Sequence, residues 1–212
     1  MRLSRRLSSL VIGLTAASIA VAGPALAEII DGTDGDDVLV GTDESDTISG
    51  LGGLDVIRAA GGDDLVAGGA GGGGYERLFG QTGADVVRGQ MGFDRVSGGR
   101  GADDVFGGRK GDHVLGKGGA DNVFGGAGSD DISAGNGADT VFPGNGADNV
   151  FAGDGDDTVV VAADGSPDLI SCGDGVDTVT AVRGLPDAMD LVRSDCETVP
   201  LTSQGSRQVV GR

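Results

Sequence analysis

The chain has 212 residues, of which 44 are glycine and none is tryptophan, and its formal net charge is −18 at pH 7. This charge argues against nucleic acid as a partner, because phosphates would be repelled, and it favours cations. With a single histidine, the chain has no HExxH motif and no nucleophile–histidine arrangement, so no enzyme activity is predicted.

Residues 1–27 have the layout of a secretory signal peptide. The basic stretch MRLSRR precedes a short apolar run and the sequence ALA, which predicts export and cleavage after Ala27. The apolar run is shorter than the roughly 20 residues of a membrane-spanning helix, so no stable membrane insertion is expected. Two adjacent arginines leave the Sec and twin-arginine routes open. This segment holds three arginines and no acid, so the remaining chain, predicted to be secreted and extracellular, carries a net charge of −21.

The chain then keeps a nine-residue period. When the recurrent acid is numbered as the sixth of nine positions, a Val, Ile or Leu stands at the eighth position of every unit. In a first run the sixth positions are Asp37, Asp46, Asp55 and Asp64. After a three-residue slip within GGAGGGGYE, the sixth positions of a second run are Glu76, Asp85, Asp94, Asp103, Asp112, Asp121, Asp130, Asp139, Asp148 and Asp157.

This period predicts both the fold and its core. Glycine permits positive φ, so we expect the first six positions to form a tight turn and the last three a short strand. Two units make a flattened coil of 18 residues, and successive coils stack at about 4.8 Å. The predicted fold is therefore all-β, a parallel β-roll (β-solenoid) over residues 28–161, with the eighth-position side chains as a thin core.

The stacked acids suggest a cation site. In an 18-residue coil each sixth-position carboxylate lies about 5 Å from the carboxylate two units away, beside turn carbonyls. Oxygen ligands suit Ca²⁺, whereas thiol and imidazole groups are not part of the motif. An alternative stays open, in which the aspartate only caps the turn by accepting backbone N–H bonds. The candidate calcium ligands are Asp37, Asp46, Asp55, Asp64, Asp85, Asp94, Asp103, Asp112, Asp121, Asp130, Asp139, Asp148 and Asp157.

Units such as GGRGADDVF and GGAGSDDIS resemble the RTX (hemolysin-type) calcium-binding nonapeptide repeat, over roughly residues 31–161. The resemblance implies that the repeat aspartates bind several Ca²⁺ ions together with turn carbonyls. It also implies no catalytic domain within the repeats. Since metal-binding energy then becomes folding energy, we expect folding to depend on calcium.

Some units depart from this pattern. Glu44 and Lys110 replace glycine at the fourth position, and Arg100, Arg109 and Lys117 place cations among the turn residues. These departures would replace or weaken individual calcium sites. The units that follow the pattern best are those of Asp103, Asp121, Asp130, Asp139, Asp148 and Asp157.

Aromatic residues recur at the ninth position. Phe106, Phe124 and Phe142 are 18 residues apart, which predicts a ridge on one outer sheet face. The ridge either packs within the sheet or serves self-association or a protein partner. The second interpretation gives an alternative function, a calcium-dependent adhesion or extracellular-matrix assembly protein.

The stretch GDHVLGKG is close to a phosphate-binding loop. It lacks the final Ser or Thr, and nothing in the sequence implies a following helix. His113 stands at a seventh, outward position and is predicted to be a surface residue. Nucleotide binding is therefore not expected.

Residues 162–200 are predicted to cap the open end of the roll, as solenoids require. Cys172 and Cys196 are the two cysteines of the chain, and in an exported protein they predict one disulfide rather than two free thiols. The bridge would hold residues 190–192 over the last coil. The polar tail, residues 201–212, is predicted to be disordered.

Overall fold

The computed structural model describes residues 26–70, 74–181, 190–197 and 209–210. Apart from residues 26–27 and 209–210, the predicted signal peptide and the predicted disordered tail lie outside this part of the chain. The described residues include no helix long and apolar enough to cross a membrane. They form the strands β1 (Ile29–Asp31), β2 (Val38–Val40), β3 (Thr47–Leu51), β4 (Val56–Gly61), β5 (Leu65–Gly69), β6 (Arg77–Thr82), β7 (Val86–Met91), β8 (Arg95–Arg100), β9 (Asp104–Arg109), β10 (His113–Gly118), β11 (Asn122–Ala127), β12 (Asp131–Asn136), β13 (Thr140–Asn145), β14 (Asn149–Asp154), β15 (Thr158–Val161), β16 (Leu169–Asp174), β17 (Thr178–Ala181), β18 (Leu191–Arg193) and β19 (Val209–Val210).

The strands alternate between two parallel sheets. The odd-numbered strands β1 to β17 follow one another in a nine-stranded sheet, here called the odd sheet. The even-numbered strands β2 to β18, followed by β19, form a ten-stranded sheet, here called the even sheet. Each coil therefore contributes one strand to each sheet, which confirms the predicted β-solenoid.

Strand register follows the nonapeptide period. Val105 pairs with Val123 and Val123 with Val141, each 18 residues along the chain. Where the sequence slips by three residues, Val56 pairs with Arg77, 21 residues away. The insertion is thus accommodated between β5 and β6, and the repeat resumes in register.

The strands are longer than the three residues expected from the sequence. The strand β9 has six residues and covers positions seven to nine of one unit and one to three of the next. Glycine permits this close stacking: Gly126 pairs with Gly144 at φ +118°, and a Cβ on Gly126 would lie 2.1 Å from the carbonyl oxygen of Gly108. The glycine-rich positions therefore continue the sheet, and the turn shrinks to three residues.

The core consists of one row of aliphatic side chains from each sheet. The eighth-position residues from Leu39 to Val179 are buried, and small first-position residues such as Ala134 and Ala152 lie beside them. Strand alternation explains this, because positions eight and one are two residues apart and face the same side. The core is thin and continuous along the described coils.

Truncating one core side chain should destabilise the solenoid. Ile132 is 1% exposed, so we expect Ile132→Ala to lower the free energy of unfolding by about 2–5 kcal/mol. Leu65→Ala, at an outward position that is 40% exposed, should cost about 1 kcal/mol or less. Urea unfolding in the presence of calcium measures both, and equal losses would contradict the core assignment.

A disulfide-linked strand follows the last full coil. Val192 of β18 pairs with Ile170 of β16, and the predicted Cys172–Cys196 disulfide is present, with the two Cα atoms 5.2 Å apart. Val192 is buried. The strand β18 thus extends the even sheet by one strand, and the disulfide ties the segment that follows it to β16; the predicted capping role of residues 162–200 stays a prediction.

Removing this bridge should loosen the end of the roll. We expect the Cys172→Ser/Cys196→Ser variant to lose about 3–4 kcal/mol, from the entropy of the opened loop. Because neighbouring coils carry the contacts in a solenoid, the loss should concentrate at β16 and β18. Hydrogen exchange by strand measures this, and an equal loss of protection at β10 would contradict a local role.

Candidate metal centre

The sixth-position acids line the inside of the turns in two ladders. Each precedes a strand by one residue, so strand alternation places it on the same side as the buried eighth position. They are at most 6% exposed. The odd ladder, beside the odd sheet, is Asp46, Asp64, Asp85, Asp103, Asp121, Asp139, Asp157 and Asp177; the even ladder is Asp37, Asp55, Glu76, Asp94, Asp112, Asp130, Asp148, Asp168 and Asp190.

One oxygen of each repeated aspartate caps the neighbouring coil. The backbone N–H of Asp103 donates to Oδ1 of Asp121 at 2.9 Å, and that of Asp121 donates to Oδ1 of Asp139 at 2.8 Å. In the even ladder the N–H of Asp112 donates to Oδ1 of Asp130 at 2.7 Å. The predicted stacking of residues 18 apart is thus present, and for Oδ1 the capping interpretation holds as well.

The second oxygen has no partner. Buried acceptors are nearly always hydrogen-bonded, and an unpaired one costs about 1–3 kcal/mol. The same oxygen is unpartnered in coil after coil. This repetition indicates that its partner is a bound ligand and not one of the protein's own hydrogen-bond donors. Among the candidate ligands, Oδ2 is buried and unpartnered in Asp55, Asp64, Asp85, Asp94, Asp103, Asp112, Asp121, Asp130, Asp139, Asp148 and Asp157.

Burial disfavours the ionised form of these carboxyl groups. It raises the pKa of Asp121 to about 7, partly opposed by the N–H of Asp103 and increased by the carboxylates of Asp103 and Asp139. Burial likewise raises the pKa of Asp112 to about 7 and that of Asp130 to about 6. A bound cation would remove this penalty, because it replaces lost water with a fixed positive charge.

The surroundings of the orphan oxygen are made of further oxygens. A Cβ on Gly116 would lie 2.6 Å from Oδ2 of Asp121 and 2.4 Å from the carbonyl oxygen of Ala134 in the next coil. A Cβ on Gly125 would meet Oδ2 of Asp130 at 2.6 Å in the same way. Since first-position glycine leaves this space open, carboxylate and carbonyl oxygens converge there.

This donor set fits calcium. The described residues contain no group of three or more His, Cys, Asp or Glu side chains that could hold a metal ion, so any ion at a ladder would also need backbone carbonyls. Calcium accepts mixed carboxylate and carbonyl oxygens, whereas zinc prefers nitrogen and sulfur. The residues present therefore fit calcium and do not fit zinc.

The first two candidate ligands differ from the others. Oδ2 of Asp37 accepts the backbone N–H of Thr33 at 2.6 Å, and Oδ2 of Asp46 accepts that of Thr42 at 2.6 Å. Both hydroxyls approach the same carboxylates. These two aspartates are satisfied within the protein, so they are the weakest candidates for a metal.

The ladders continue beyond the predicted ligands. The N–H of Asp148 donates to Oδ1 of Asp168 at 3.0 Å, and that of Asp157 donates to Oδ1 of Asp177 at 2.9 Å. The sequence signal was available, since Asp168 and Asp177 are nine residues apart and each precedes an aliphatic eighth position. Asp177 also carries an unpartnered Oδ2, which adds it to the candidate ligands.

Glu76 is the exception in the ladders. Both of its carboxylate oxygens are buried without a partner, and burial, with the charges of Asp94 and Asp55, raises its pKa to about 8. Its backbone N–H still donates to Asp94 Oδ1 at 3.0 Å. The backbone of Glu76 therefore preserves the stack with Asp94, and its longer side chain leaves two carboxylate oxygens without a donor.

Lys110 brings a positive charge near the even ladder. It occupies the fourth position at φ +75°, where glycine is usual, and its Nζ lies 4.8 Å from the centre of the Phe93 ring. Burial raises the pKa of Asp94, while the N–H of Glu76 and the charge of Lys110 oppose that rise. The predicted influence of Lys110 on one site thus has a structural basis at Asp94.

The segment that resembled a phosphate-binding loop is part of the solenoid. His113–Gly118 is strand β10, so the glycines do not form a loop between a strand and a helix. Nδ1 of His113 lies 3.1 Å from Oδ2 of Asp131 on the outer surface. His113 is therefore a surface residue, as predicted, with one acidic neighbour.

The ninth-position phenylalanines stack as predicted. The ring centres of Phe106 and Phe124 are 4.6 Å apart, those of Phe124 and Phe142 are 4.8 Å apart, and the rings are nearly parallel. All three side chains are half-buried. Packing within the sheet accounts for this geometry.

Two parallel sheets with ladders of buried acids inside the turns define a parallel β-solenoid whose ladders fit calcium. A family model of the RTX calcium-binding nonapeptide repeat (4 copies) matches residues 26–53, 40–73, 71–105, 79–112, 106–141, 134–159 and 144–165. The chain therefore belongs to the RTX calcium-binding repeat family. A comparison with curated proteins finds no match.

Proposed function

We propose that this protein is secreted, binds several Ca²⁺ ions along its two ladders and folds as it binds them. The observation that supports this most is the repeated buried Oδ2 without a partner, in eleven of the thirteen candidate aspartates. These oxygens, with turn carbonyls, are the proposed ligands. Asp177 and Glu76 are further proposed ligands, because their carboxylates also have buried oxygens without a hydrogen-bond partner.

The coupling to folding has a physical reason. Without cations, each ladder places carboxylates of raised pKa directly above one another, as at Asp103, Asp121 and Asp139. The unfolded chain can hydrate and separate these charges, so the bare ladders favour unfolding. Calcium that binds only the folded chain adds its binding free energy to stability.

A calcium titration followed by far-UV circular dichroism tests this proposal. The metal-free chain at neutral pH should have little β-structure, and calcium at about millimolar concentration should restore it, as for extracellular sites of moderate affinity. Magnesium is the control ion, since it requires a stricter octahedral geometry. A spectrum that does not respond to calcium would contradict the proposal.

Two features support secretion. The Cys172–Cys196 disulfide suits an oxidising compartment, and the first 27 residues have the composition of a signal peptide. Expression with and without residues 1–27 tests it. The full chain should appear in an exported fraction, beginning at Glu28, and retention of both forms in the cytoplasm would contradict it.

A second candidate function is adhesion or matrix assembly through the ridge of Phe106, Phe124 and Phe142. The continuous ring stack on one face favours it, although the rings are half-buried. Phe124→Ser should then abolish calcium-dependent oligomers on size-exclusion chromatography while calcium-loaded folding persists. If folding and oligomeric state are both unchanged and no partner is lost, the ridge only packs the sheet.

A further inference from the structure

Apart from Arg193 of β18, the positive charges of the described coils lie in the middle of the solenoid. Between residues 26 and 181 all eight lysines and arginines lie between Arg58 and Lys117. Residues 28–57 and 118–181 contain acids and no lysine or arginine. Since the ladder acids of the middle coils are buried, the exposed surface there is cationic.

Most of these charges share one sheet. The strands β4, β6, β8 and β10 of the even sheet contain no acidic residue. Their outer residues form a surface that we call the cationic face, consisting of Arg58, Arg77, Arg95 and Lys117, and Arg100 lies beside it where β8 ends at the turn. On the odd sheet the corresponding strands carry Arg88 and Arg109 beside an acid, Asp104.

The arginines of the cationic face have no carboxylate partner. Within the described residues no arginine of this face lies within 4.0 Å of a carboxylate oxygen, whereas His113 and Asp131, elsewhere on the even sheet, form an ion pair at 3.1 Å. Arg77 and Arg95 lie directly opposite on neighbouring strands, an arrangement that destabilises a sheet when the charges are alike. A chain with a large excess of acids thus leaves a group of guanidinium groups uncompensated.

The face also presents an aromatic ring between guanidinium groups. Phe79 is half-buried, and the guanidinium carbons of Arg58 and Arg77 each lie 5.8 Å from its ring centre. Phe79 pairs with Arg58 on β4 and with Ser97 on β8. The surface therefore combines guanidinium donors with a half-buried aromatic ring.

We propose that the cationic face binds an extended carboxylate-bearing polysaccharide that runs across β4 to β10. Neighbouring strands repeat at about 4.8 Å, so the opposed pair Arg77 and Arg95 matches two successive anionic groups of a chain that carries one per sugar. Guanidinium groups bind carboxylates through two parallel hydrogen bonds, and the apolar face of a sugar ring can lie on Phe79.

Charge beyond the face favours this ligand over nucleic acid. A long duplex would extend from the cationic face onto the acidic coils at both ends of the solenoid, where phosphates are repelled. A segment of acidic sugars covers only the four strands that carry the arginines and Lys117. The proposal concerns the outer sheet face, so it is independent of metal binding at the ladders.

Binding of a short oligogalacturonate to the calcium-loaded full chain, measured by calorimetry at low salt, tests the proposal. Arg77→Gln/Arg95→Gln should weaken binding by about tenfold or more, as expected for charge-assisted hydrogen bonds. The matched control, Arg88→Gln/Arg109→Gln on the odd sheet, removes the same charge and should change affinity by about twofold or less. A neutral oligosaccharide of equal length should not bind.

Circular dichroism in calcium shows whether each variant folds, and Arg58→Gln/Lys117→Gln replaces the first variant if that one does not. Several outcomes would overturn the proposal: no binding by the unmodified chain, equal losses in both double variants, or tighter binding to duplex DNA or to phosphatidylserine vesicles. If calcium fails to fold the chain while a folded form still binds oligogalacturonate through Arg77 and Arg95, only the proposed calcium-coupled folding is contradicted.

Discussion

Replacing Asp121 with asparagine is expected to stabilise the calcium-free roll and to destabilise the calcium-loaded one. Asparagine keeps the oxygen that accepts the N–H of Asp103, and it removes a buried charge beside Asp103 and Asp139. Its amide can also donate toward the nearby carbonyl of Ala134. Without calcium at about pH 8 we expect a gain of about 1–3 kcal/mol.

With calcium the sign should reverse, because the variant lacks a charged ligand. At calcium about tenfold to a hundredfold above the dissociation constant, each lost site removes about 1–3 kcal/mol. The folded fraction of the largely unfolded chain in chelator, followed by far-UV circular dichroism, measures the gain, and urea unfolding in calcium measures the loss. Asp154→Asn removes the same charge from an exposed position and should have little effect in either condition. A change of the same sign in both conditions would contradict a metal role for Asp121.

The calcium-free roll should be most stable in acid, opposite to most proteins with paired carboxylates. Burial raises the pKa of Asp121, Asp157 and Asp168 from 3.8 to about 7, so the folded chain binds more protons than the unfolded chain between these values. The stabilisation is complete below about pH 4 and is lost as the pH rises through about 7. A pKa that is higher by one in the folded chain changes the free energy of unfolding by about 1.4 kcal/mol, and many ladder carboxyls contribute.

Calcium should reverse this dependence, since protons compete with the metal for the same carboxylates. The folded fraction of the metal-stripped protein, followed by circular dichroism, should fall from about pH 4 to pH 8, and the melting temperature of the calcium-loaded protein should rise over the same range. A metal-free protein that becomes more stable as the pH rises would show that the ladder carboxylates are not destabilised by burial.

The nine-residue period was sufficient to predict the solenoid, because stacked coils are the arrangement that buries the aliphatic residue at every eighth position. The strand length was not predictable in the same way. Glycine normally marks a turn, yet Gly126 and its equivalents pair with the next coil, since their missing side chains let the backbones approach. The tertiary stack thus overrides the local preference of glycine.

The composition of the candidate site was also only partly predictable. The sequence identified the repeated acids, but the different roles of Oδ1 and Oδ2 depend on how the side chain of Asp121 is turned within the coil. Thr33 and Thr42 were a usable signal, because threonine at the second position can satisfy the aspartate four residues later. Their effect on Asp37 and Asp46 becomes evident only once the contacts are known.

First-position residues show a further limit of the repeat pattern. The units of Asp139, Asp148 and Asp157 follow the pattern well at most positions, yet Ala134, Pro143 and Ala152 replace the first glycine. In other units this glycine leaves space beside Oδ2. The ranking of individual sites therefore depends on this contact, which the aspartate pattern alone does not reveal.

The cationic face was only partly predictable from the repeat pattern. Arg77 and Arg95 both stand at the seventh position, 18 residues apart, so the 18-residue coil already places them on one sheet. Arg58 stands at a ninth position, and its place opposite Phe79 depends on how the three-residue slip is accommodated, which the contacts between strands show.

A crystal structure of the chain grown with calcium, with anomalous scattering used to locate the ions, tests the role of the ladders most directly. Anomalous peaks should lie beside the unpartnered Oδ2 atoms of Asp103, Asp121 and Asp130, with carbonyl oxygens completing each site. Ladders without ions, together with peaks at exposed turn acids such as Asp34 and Asp154, would contradict it.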